Sequence, residues 1–184
     1  MILTKKCPIC NEANLTKKLT CIDHTTSGES FNIVSCETCG FTLTSPRPED
    51  QDLARYYKSD MYISHTNSSK GLFNWLYQKV RKYSIWRKIR LLKSIKKEGA
   101  HLDIGCGTGE FLRACKEAGF KVRGVEPSKK AREQAIKNYG LSVSENTDLS
   151  EYKNSEFDSI SMWHVLEHMP NLNSALNQAN RMLK

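Results

Sequence analysis

The sequence predicts an α/β fold in which a parallel sheet follows a small cysteine-rich module and a basic helical segment. Two C-x-x-C pairs lie near the start, apolar residues at helical spacing fill the middle, and strand and helix patterns alternate from residue 99 onward. Such alternation favours a sheet of parallel strands wound by helices on both faces. We therefore expect three segments, of residues 1–45, 46–98 and 99–184.

Composition is that of a globular protein. The 184 residues are 39% hydrophobic, and the longest apolar runs fall far short of the roughly 18 residues that a membrane-spanning helix needs. The first residues lack the apolar core of a secretory signal, so we expect a cytoplasmic protein with no membrane span.

Four of the seven cysteines form two C-x-x-C pairs, which are Cys7 with Cys10 and Cys36 with Cys39. Because 25 residues separate the pairs, two tight turns can converge on one tetrahedral ion, and zinc is the expected occupant. A rubredoxin-type iron site and a redox dithiol are the alternatives. Residues 1–45 are too few to fold well without a site of this kind. Cys21 and His24 have irregular spacing, which favours ordinary surface or packing roles.

Short strands are expected between the cysteine pairs, including residues 30–35 and 41–44, before two prolines end the module. An acidic start predicts a short helix over residues 49–57, and a polar link over residues 64–70 follows. From residue 71 to residue 97, apolar residues recur every three or four positions and predict one long amphipathic helix or two short ones. The predicted apolar stripe consists of Leu76, Val80, Tyr83, Trp86, Ile89, Leu92 and Ile95.

The positive charge of the chain comes from this predicted helical segment. Residues 70–98 carry ten Lys and Arg against one acid, whereas acidic and basic residues nearly balance in the rest of the chain. The net charge of the whole chain is +8. Nucleic acid phosphates, an anionic membrane surface or a phosphorylated substrate would all suit this charge. The simplest alternative is a solvated outer face that keeps the helix soluble.

A glycine-rich turn follows the first strand of the alternating region. Gly105, Gly107 and Gly109 are spaced by two, and without Cβ atoms they can take positive φ angles and let a ligand approach the backbone. The helix that opens near Glu110 adds unpaired backbone N–H groups, which favours a nucleoside ligand. Since the Glu110 carboxylate would repel a pyrophosphate at this helix start, we expect a nucleoside without phosphate.

The later elements place a second acid near this turn. A strand over residues 120–126 ends at Glu126, where a carboxylate can accept hydrogen bonds from both hydroxyls of a ribose. A solvated strand-end carboxylate is the alternative. Further expected elements are helices over residues 110–118, 128–139 and 171–183, and strands over residues 141–144 and 157–163.

Three ordered segments resemble the first, second and fourth motifs of class I S-adenosylmethionine-dependent methyltransferases: LDIGCGTG, GVEPS and FDSISMWHVLEHMPN. The resemblance covers roughly residues 80–184 and implies a Rossmann-like sheet with the cofactor across the carboxyl ends of its first two strands. It implies that Asp103 and Gly105 face the methionine part and that adenine lies near Asn146, Thr147 and Asp148. Methyltransferases of this class continue past the last helix, so we expect these residues to be the cofactor half of a larger catalytic domain.

Two histidines follow the fourth strand at the mouth of the implied cleft. His164 and His168 are candidate general bases, because methyl transfer to an acidic acceptor requires removal of a proton, and His164 is also a candidate lining residue of the cofactor site. With Glu167 they spell H-x-x-E-H, the inverted zinc-protease signature, which we interpret as coincidental because it begins where a strand ends. A divalent ion held by Glu167 and His168 and simple helix-start capping are the alternatives.

These features together predict methyl transfer from S-adenosylmethionine to a small-molecule acceptor. The order of a four-cysteine module and a methyltransferase domain resembles bacterial enzymes that methylate deoxysugars or other cell-surface precursors, so the acceptor is expected to be a nucleotide-linked sugar or a related anionic molecule. One alternative is ribosomal RNA methylation, since some such enzymes also begin with a zinc ribbon. A non-catalytic binding module is the other.

Overall fold

The computed structural model describes residues 1–24, 26–49, 52–56, 72–169 and 171–184. The chain forms two units, Met1–Ser69 and Lys70–Lys184. The division into segments 1–45, 46–98 and 99–184 stays a prediction, and the predicted polar link over residues 64–70 lies outside the described residues.

The first unit contains an antiparallel sheet of three strands in the order β1-β2-β3. Its strands are β1 (Leu15–Ile22), β2 (Ser30–Cys36) and β3 (Thr42–Thr44), and a short helix α1 (Leu53–Tyr56) follows. The strands predicted over residues 30–35 and 41–44 correspond to β2 and β3. Strand β1 was not predicted individually, because its largely exposed sequence has no strict alternation of polar and apolar residues.

The second unit begins with a single helix, α2 (Leu72–Ile95), where the sequence allowed one helix or two. It packs through Ile85, Ile89 and Leu92, which contact a cluster that includes Phe111 and Phe120. The predicted apolar stripe is therefore wrong in part, since Leu76, Val80, Tyr83, Trp86 and Ile95 are all exposed. Large apolar side chains occur around the whole circumference of α2, so their spacing did not identify the buried face.

A parallel sheet of four strands in the order β6-β5-β4-β7 forms the centre of the second unit. The strands are β4 (Gly99–Ile104), β5 (Phe120–Val125), β6 (Val143–Ser144) and β7 (Ser159–Ser161). The last two are shorter than predicted, and Phe157 forms only an isolated bridge with Leu183. Since β5 and β7 flank β4 on opposite sides, the chain order reverses there, and ligands of open α/β sheets bind at such a switch point.

Three further helices connect or follow these strands: α3 (Glu110–Glu117), α4 (Lys129–Tyr139) and α5 (Leu172–Met182). The predicted stop of α4 at Gly140 is confirmed, because this glycine has the left-handed conformation that ends many helices. One sheet face packs around Leu102, Phe157 and Met182, and the other packs α2 and α3 over His101 and Phe120. The α/β fold with a parallel sheet is thus confirmed. No helix of the described residues is long and apolar enough to cross a membrane.

Candidate functional site: a glycine turn at the edge of the parallel sheet and a four-cysteine cluster

The glycine-rich turn joins β4 to α3 at the switch point of the sheet. Gly105, Gly107 and Gly109 have φ angles of 73°, 56° and 86°, so all three adopt the left-handed conformation that the sequence predicted. The backbone N–H groups of Gly105 and Cys106 both donate to the Val125 carbonyl, at 2.7 and 3.1 Å. These bonds hold the start of the turn against the end of β5.

The surroundings of the three glycines differ. A Cβ atom at Gly105 would lie 2.2 Å from a Val165 methyl group, and one at Gly109 would lie 2.7 Å from Leu141 and 2.8 Å from Ala135. A Cβ atom at Gly107 would have nothing within 4 Å. Gly105 and Gly109 therefore permit close internal packing, whereas Gly107 borders open space that a ligand can occupy.

Glu126, the acid that follows β5, points back at this turn. Its side chain is 8% exposed, with one carboxylate oxygen accepting a hydrogen bond from the Gly107 N–H and the other from the Ser128 N–H, both at 2.8 Å. A carboxylate offers about four lone pairs, so each oxygen can accept one more donor. This arrangement fits a ribose, whose adjacent hydroxyls are a pair of donors.

Asp103 lies near the end of β4, two residues before the glycine turn, with only 3% of its surface exposed. The Ser161 hydroxyl on the neighbouring strand β7 donates to one of its carboxylate oxygens at 2.5 Å. Burial raises the pKa of Asp103 to about 7, although this hydrogen bond and the positive charge of Lys88 act in the opposite direction. The implied methionine-facing acid is therefore an interior carboxyl that titrates near neutral pH.

His101 is a buried polar residue of this region for which no role was predicted. Its Nδ1 lies 2.8 Å from the Ser159 hydroxyl and its Nε2 lies 3.1 Å from the Ser161 hydroxyl. Burial lowers the pKa of His101 to about 4, so the ring is neutral at physiological pH. Only the alternation of side chains along β4, which places His101 on the same face as Asp103, could have indicated it.

Helix α2 contributes two basic side chains beside the turn. Arg81 forms an ion pair with Glu110, which also accepts a hydrogen bond from the Thr108 hydroxyl at 2.6 Å. Because Arg81 compensates its charge, Glu110 is not the isolated negative charge on which the expected repulsion of a pyrophosphate depended. Lys88 lies 4.3 Å from the centre of the Trp163 ring, which also packs edge-to-face on Phe111.

Trp163 carries an unused donor. Its indole Nε1 is buried, and within the part of the chain that the structure describes it has no hydrogen-bond partner. Since a buried donor without a partner is costly, a ligand acceptor is one way to satisfy it. The open space at Gly107 and the acceptors of Glu126 likewise fit a polar nucleoside ligand at the switch point.

The remaining residues that the sequence singled out lie at the surface. Asp148 caps a single 3₁₀ turn, Leu149–Glu151, and accepts hydrogen bonds from the Ser150 N–H at 3.1 Å and the Ser150 hydroxyl at 2.8 Å. His164 has a positive φ angle of 57°, and its Nδ1 lies 3.7 Å from a Glu167 oxygen. His168 is also exposed. Cofactor-binding roles for Asp148 and His164, and catalytic roles for His164 and His168, stay predictions.

The segment H-x-x-E-H does not form the helix that a zinc-protease site requires. Only Leu166–His168 is helical, as a single 3₁₀ turn. Among the described residues, the one group of His, Cys, Asp or Glu side chains that could hold a metal ion is formed by the four cysteines of the first unit.

The four cysteines of the two pairs come together. Cys7 and Cys39 have their sulfurs 3.5 Å apart, as do Cys10 and Cys36, and all four sulfurs lie within 4.8 Å of one another. Zinc bound to four thiolates at about 2.3 Å would separate the sulfurs by roughly 3.8 Å, so the donor set fits a tetrahedral ion. Cys21 is a free, exposed thiol and does not belong to this cluster.

The two knuckles of the cluster have matching backbones. Gly40 follows the second pair with a φ angle of 74° and donates its N–H to the Cys36 carbonyl at 2.8 Å. Asn11 follows the first pair with a φ angle of 62° and donates its N–H to the Cys7 carbonyl at 2.9 Å. Asparagine is one of the few residues other than glycine that tolerate this conformation. The sequence had indicated only the glycine.

The four thiols affect one another's ionisation. Backbone N–H groups, above all that of Cys39, lower the pKa of Cys36 to about 6. For Cys10 the backbone N–H of Glu12 also favours the thiolate, yet burial and the three neighbouring sulfurs raise the pKa to about 12. Thiolates this close repel one another, and a bound cation is what allows all four to ionise together.

Two curated relatives share sequence with part of the chain. One is an uncharacterized protein of Methanocaldococcus jannaschii, 39% identical over 93 residues, and the match covers 50% of this chain and 36% of that protein. The other is described as an uncharacterized methyltransferase of Alkaliphilus oremlandii, 33% identical over 98 residues, with 48% of this chain and 45% of that protein covered. The chain thus spans less than half the length of either relative.

Solved structures share the fold of the second unit. A SAM-dependent methyltransferase from Archaeoglobus fulgidus matches with a TM-score of 0.51 at 25% identity, covering 62% of this chain and 54% of that one. The PH0226 protein from Pyrococcus horikoshii matches with a TM-score of 0.51 at 24% identity, covering 58% and 51%.

The family model for a methyltransferase domain matches residues 74–184, which is more than half of the chain. The matched region contains the glycine turn, Glu126 and the whole parallel sheet. The fold and the family that the three sequence motifs implied are thereby confirmed. The chain belongs to the methyltransferase-domain family and has the fold of the class I S-adenosylmethionine-dependent methyltransferases.

Proposed function

We propose that the second unit binds S-adenosylmethionine as methyl donor and is the cofactor-binding part of an enzyme that transfers the methyl group to a small-molecule acceptor. The observation that carries this proposal is the pairing of Gly107, whose backbone borders open space, with the buried carboxylate of Glu126. The hydroxyls of a ribose can donate hydrogen bonds to the two carboxylate oxygens of Glu126. The family supplies the identity of the nucleoside, because S-adenosylmethionine is its methyl donor.

In this proposal each residue of the site contacts a different part of the cofactor. Glu126 accepts hydrogen bonds from the ribose hydroxyls, and Asp103 and Gly105 face the methionine part. Asp148 lies toward the adenine, and His164 lines the cleft. His164 or His168 removes the acceptor's proton where the acceptor is acidic, and both side chains are exposed. When bound, the cofactor supplies an electrophilic methyl group on a sulfonium.

We further propose that the four cysteines hold a structural zinc ion. The module formed around it would precede a catalytic domain that acts on a nucleotide-linked sugar or another cell-surface precursor. Support for this acceptor class is the resemblance in domain order to bacterial enzymes of that kind. Support for zinc is the donor set itself, four convergent sulfurs with backbone N–H groups directed at them.

Isothermal titration calorimetry with S-adenosylmethionine and S-adenosylhomocysteine tests the cofactor assignment. The wild-type protein should bind both, and Glu126→Gln should lose most of the affinity, because an amide replaces one of the two acceptor oxygens with a donor. Glu133→Gln is the matched control, since Glu133 is an exposed acid of α4 that lies 4.0 Å from the Lys129 ammonium group. Equal binding by wild type and Glu126→Gln would contradict the assignment.

A specific observation on α2 favours ribosomal RNA as a second candidate acceptor. This helix has seven Lys and Arg and no acid, and Tyr83 and Trp86 stack in the open with ring centres 5.8 Å apart. Arg90 lies 5.6 Å from the centre of the Trp86 ring. Exposed aromatic rings among cations are the elements with which proteins bind single-stranded nucleic acid.

Fluorescence anisotropy with a labelled single-stranded RNA tests this second candidate. RNA affinity that falls steeply with added salt and is lost in Trp86→Ala would support it. The control is Leu76→Ala, a change to an exposed residue of the same helix that removes no aromatic ring. No binding at low salt would exclude RNA and leave the small-molecule acceptor.

A further inference from the structure

Four side chains inside the second unit form a continuous line of hydrogen-bonding groups. Ser159 contacts His101 Nδ1 at 2.8 Å, His101 Nε2 contacts Ser161 at 3.1 Å, and Ser161 contacts Asp103 at 2.5 Å. His101 is fully buried, and Asp103 and Ser159 are 3% and 7% exposed. The line runs from the interior of the sheet toward the glycine turn and ends at Asp103.

The chemistry of these groups gives the line a direction. A neutral imidazole has one donor and one acceptor nitrogen, and an ionised carboxylate only accepts. When Asp103 is ionised, the Ser161 hydroxyl must donate to it and is then free to accept from a proton on His101 Nε2. His101 Nδ1 is then the acceptor and receives the Ser159 hydroxyl. Every donor in the line points toward the carboxylate.

Protonation of Asp103 reverses this direction. A protonated Asp103 donates to Ser161, and the Ser161 hydroxyl donates to His101 Nε2. The imidazole proton then resides on Nδ1 and is donated to Ser159. The position of one ring proton on His101 therefore follows the charge of Asp103, although the two residues make no direct contact in this line.

We propose that His101 is a positioning residue of the cofactor site, which holds Asp103 ionised through Ser161 and exchanges its ring proton between Nε2 and Nδ1 when Asp103 gains or loses a proton. The part of this inference that concerns the ligand rests on the proposed function. S-adenosylmethionine carries positive ammonium and sulfonium groups, which an ionised carboxylate at this position attracts and a neutral carboxyl does not.

The charges around Asp103 leave its two states close in free energy. Lys88 of α2 favours the ionised form, whereas burial and the negative charge of Glu126 disfavour it. The other titratable groups that interact with Asp103 are the thiols of Cys106 and Cys115, and burial keeps both of them neutral. Together with the hydrogen bond from Ser161, these effects bring the pKa of Asp103 to about 7, so the charge of a ligand decides its state at neutral pH.

Nitrogen-15 NMR of the wild-type imidazoles tests the proton exchange without any ligand. The His101 resonances are identified by their absence from His101→Gln. At pH 8.5 they should be those of the Nε2–H tautomer, and they should change to those of the Nδ1–H tautomer as the pH falls through about 7 to 6. A single tautomer across this range, or a charged ring, would overturn the inference. A purely structural histidine would show no such change.

Cofactor affinity measured against pH tests the positioning role. Ser161→Ala should weaken binding of S-adenosylhomocysteine about tenfold at pH 7 and shift the midpoint of its pH dependence upward, because the ionised carboxylate loses its donor. His101→Gln retains a donor toward Ser161, so it should bind more tightly than His101→Leu. Ser142→Ala is the matched control, the same change at an exposed serine.

The outcomes of the two experiments separate the inference from the proposed function. A pH dependence in Ser161→Ala that matches wild type would overturn the positioning role. If even the wild-type protein fails to bind the cofactor product, the proposed function fails, and the tautomer measurement alone still decides whether His101 follows the charge of Asp103.

Discussion

The Gly107 backbone N–H donates to the Glu126 carboxylate at 2.8 Å, so the middle glycine of the turn after β4 is joined to the acid that follows β5. Two features that lie 19 residues apart in sequence thus form one surface at the switch point of the sheet. The backbone of the turn fixes the carboxylate, and the carboxylate gives the Gly107 N–H its acceptor.

Alanine at Gly107 and alanine at Gly109 should have different effects, the first mainly on cofactor binding and the second mainly on stability. Gly107→Ala should cost about 1 kcal/mol of stability for the left-handed backbone and abolish cofactor binding, since its methyl group enters the open space. Gly109→Ala should cost about 3 kcal/mol, because its Cβ would meet Leu141 and Ala135 at less than 3 Å. Thermal unfolding and calorimetric titration measure the two effects. Equal loss of stability in both variants would contradict this division.

Removal of the Asp103 charge should stabilise the fold at high pH. Burial raises the native pKa of Asp103 to about 7, above its unfolded value. The free energy of unfolding of the wild-type protein therefore decreases as the pH rises from about 4 to about 7, because the folded protein holds this carboxyl in its neutral form. Asp103→Asn should therefore be more stable than wild type at pH 8, by up to about 4 kcal/mol, with a smaller difference at pH 5.5.

Urea unfolding followed by tryptophan fluorescence measures this difference, because all three tryptophans lie in residues 70–184. The control is Asp158→Asn, for which the opposite sign is expected. Hydrogen bonds from Lys184 and the Ala100 N–H lower the pKa of Asp158 to about 2, so its ionised form is stabilising above about pH 4. A stability gain of Asp103→Asn that is the same at both pH values would contradict a raised pKa of the buried Asp103 carboxyl.

One zinc ion per chain should accompany the purified protein and be lost in Cys36→Ser. Elemental analysis gives the metal and its stoichiometry, and a chelator should unfold the first unit in the wild type. Cys21→Ser should keep the metal, because Cys21 is exposed and remote from the cluster. A visible thiolate-to-iron absorption would instead identify the rubredoxin-type alternative, and absence of any metal would contradict both.

The ion pair between Arg81 and Glu110 should couple α2 to the start of α3. A double-mutant cycle with Arg81→Met and Glu110→Gln should give a coupling free energy of about 1 kcal/mol that decreases with salt, since each side chain is 21% exposed. Arg87→Met, a change to an exposed residue of the same helix, should show no coupling to Glu110→Gln. A coupling near zero at low salt would contradict this anchoring role.

Much of the site followed from local sequence. The glycine spacing predicted three left-handed residues because only glycine takes that conformation freely, and all three are observed. Glu126 could be predicted to lie near the turn, because each of them follows a strand and the carboxyl ends of parallel strands share one edge of the sheet. The spacing of the two C-x-x-C pairs likewise predicted that their four sulfurs come together, as they do.

Other features depend on contacts that no local pattern encodes. His101 and Ser161 are 60 residues apart, and only the pairing of β4 with β7 makes them neighbours. Asn11 shares a conformation with Gly40 that its residue type tolerates but does not require. The buried face of α2 was misidentified because tertiary packing, not spacing, selected among several apolar faces.

A crystal structure of the protein with S-adenosylhomocysteine would show where the nucleoside binds and which groups its ribose contacts. We expect both ribose hydroxyls within hydrogen-bonding distance of the Glu126 carboxylate and the nucleoside lying against Gly107. A nucleoside bound elsewhere, with Glu126 still engaged only by the Gly107 and Ser128 N–H groups, would contradict it.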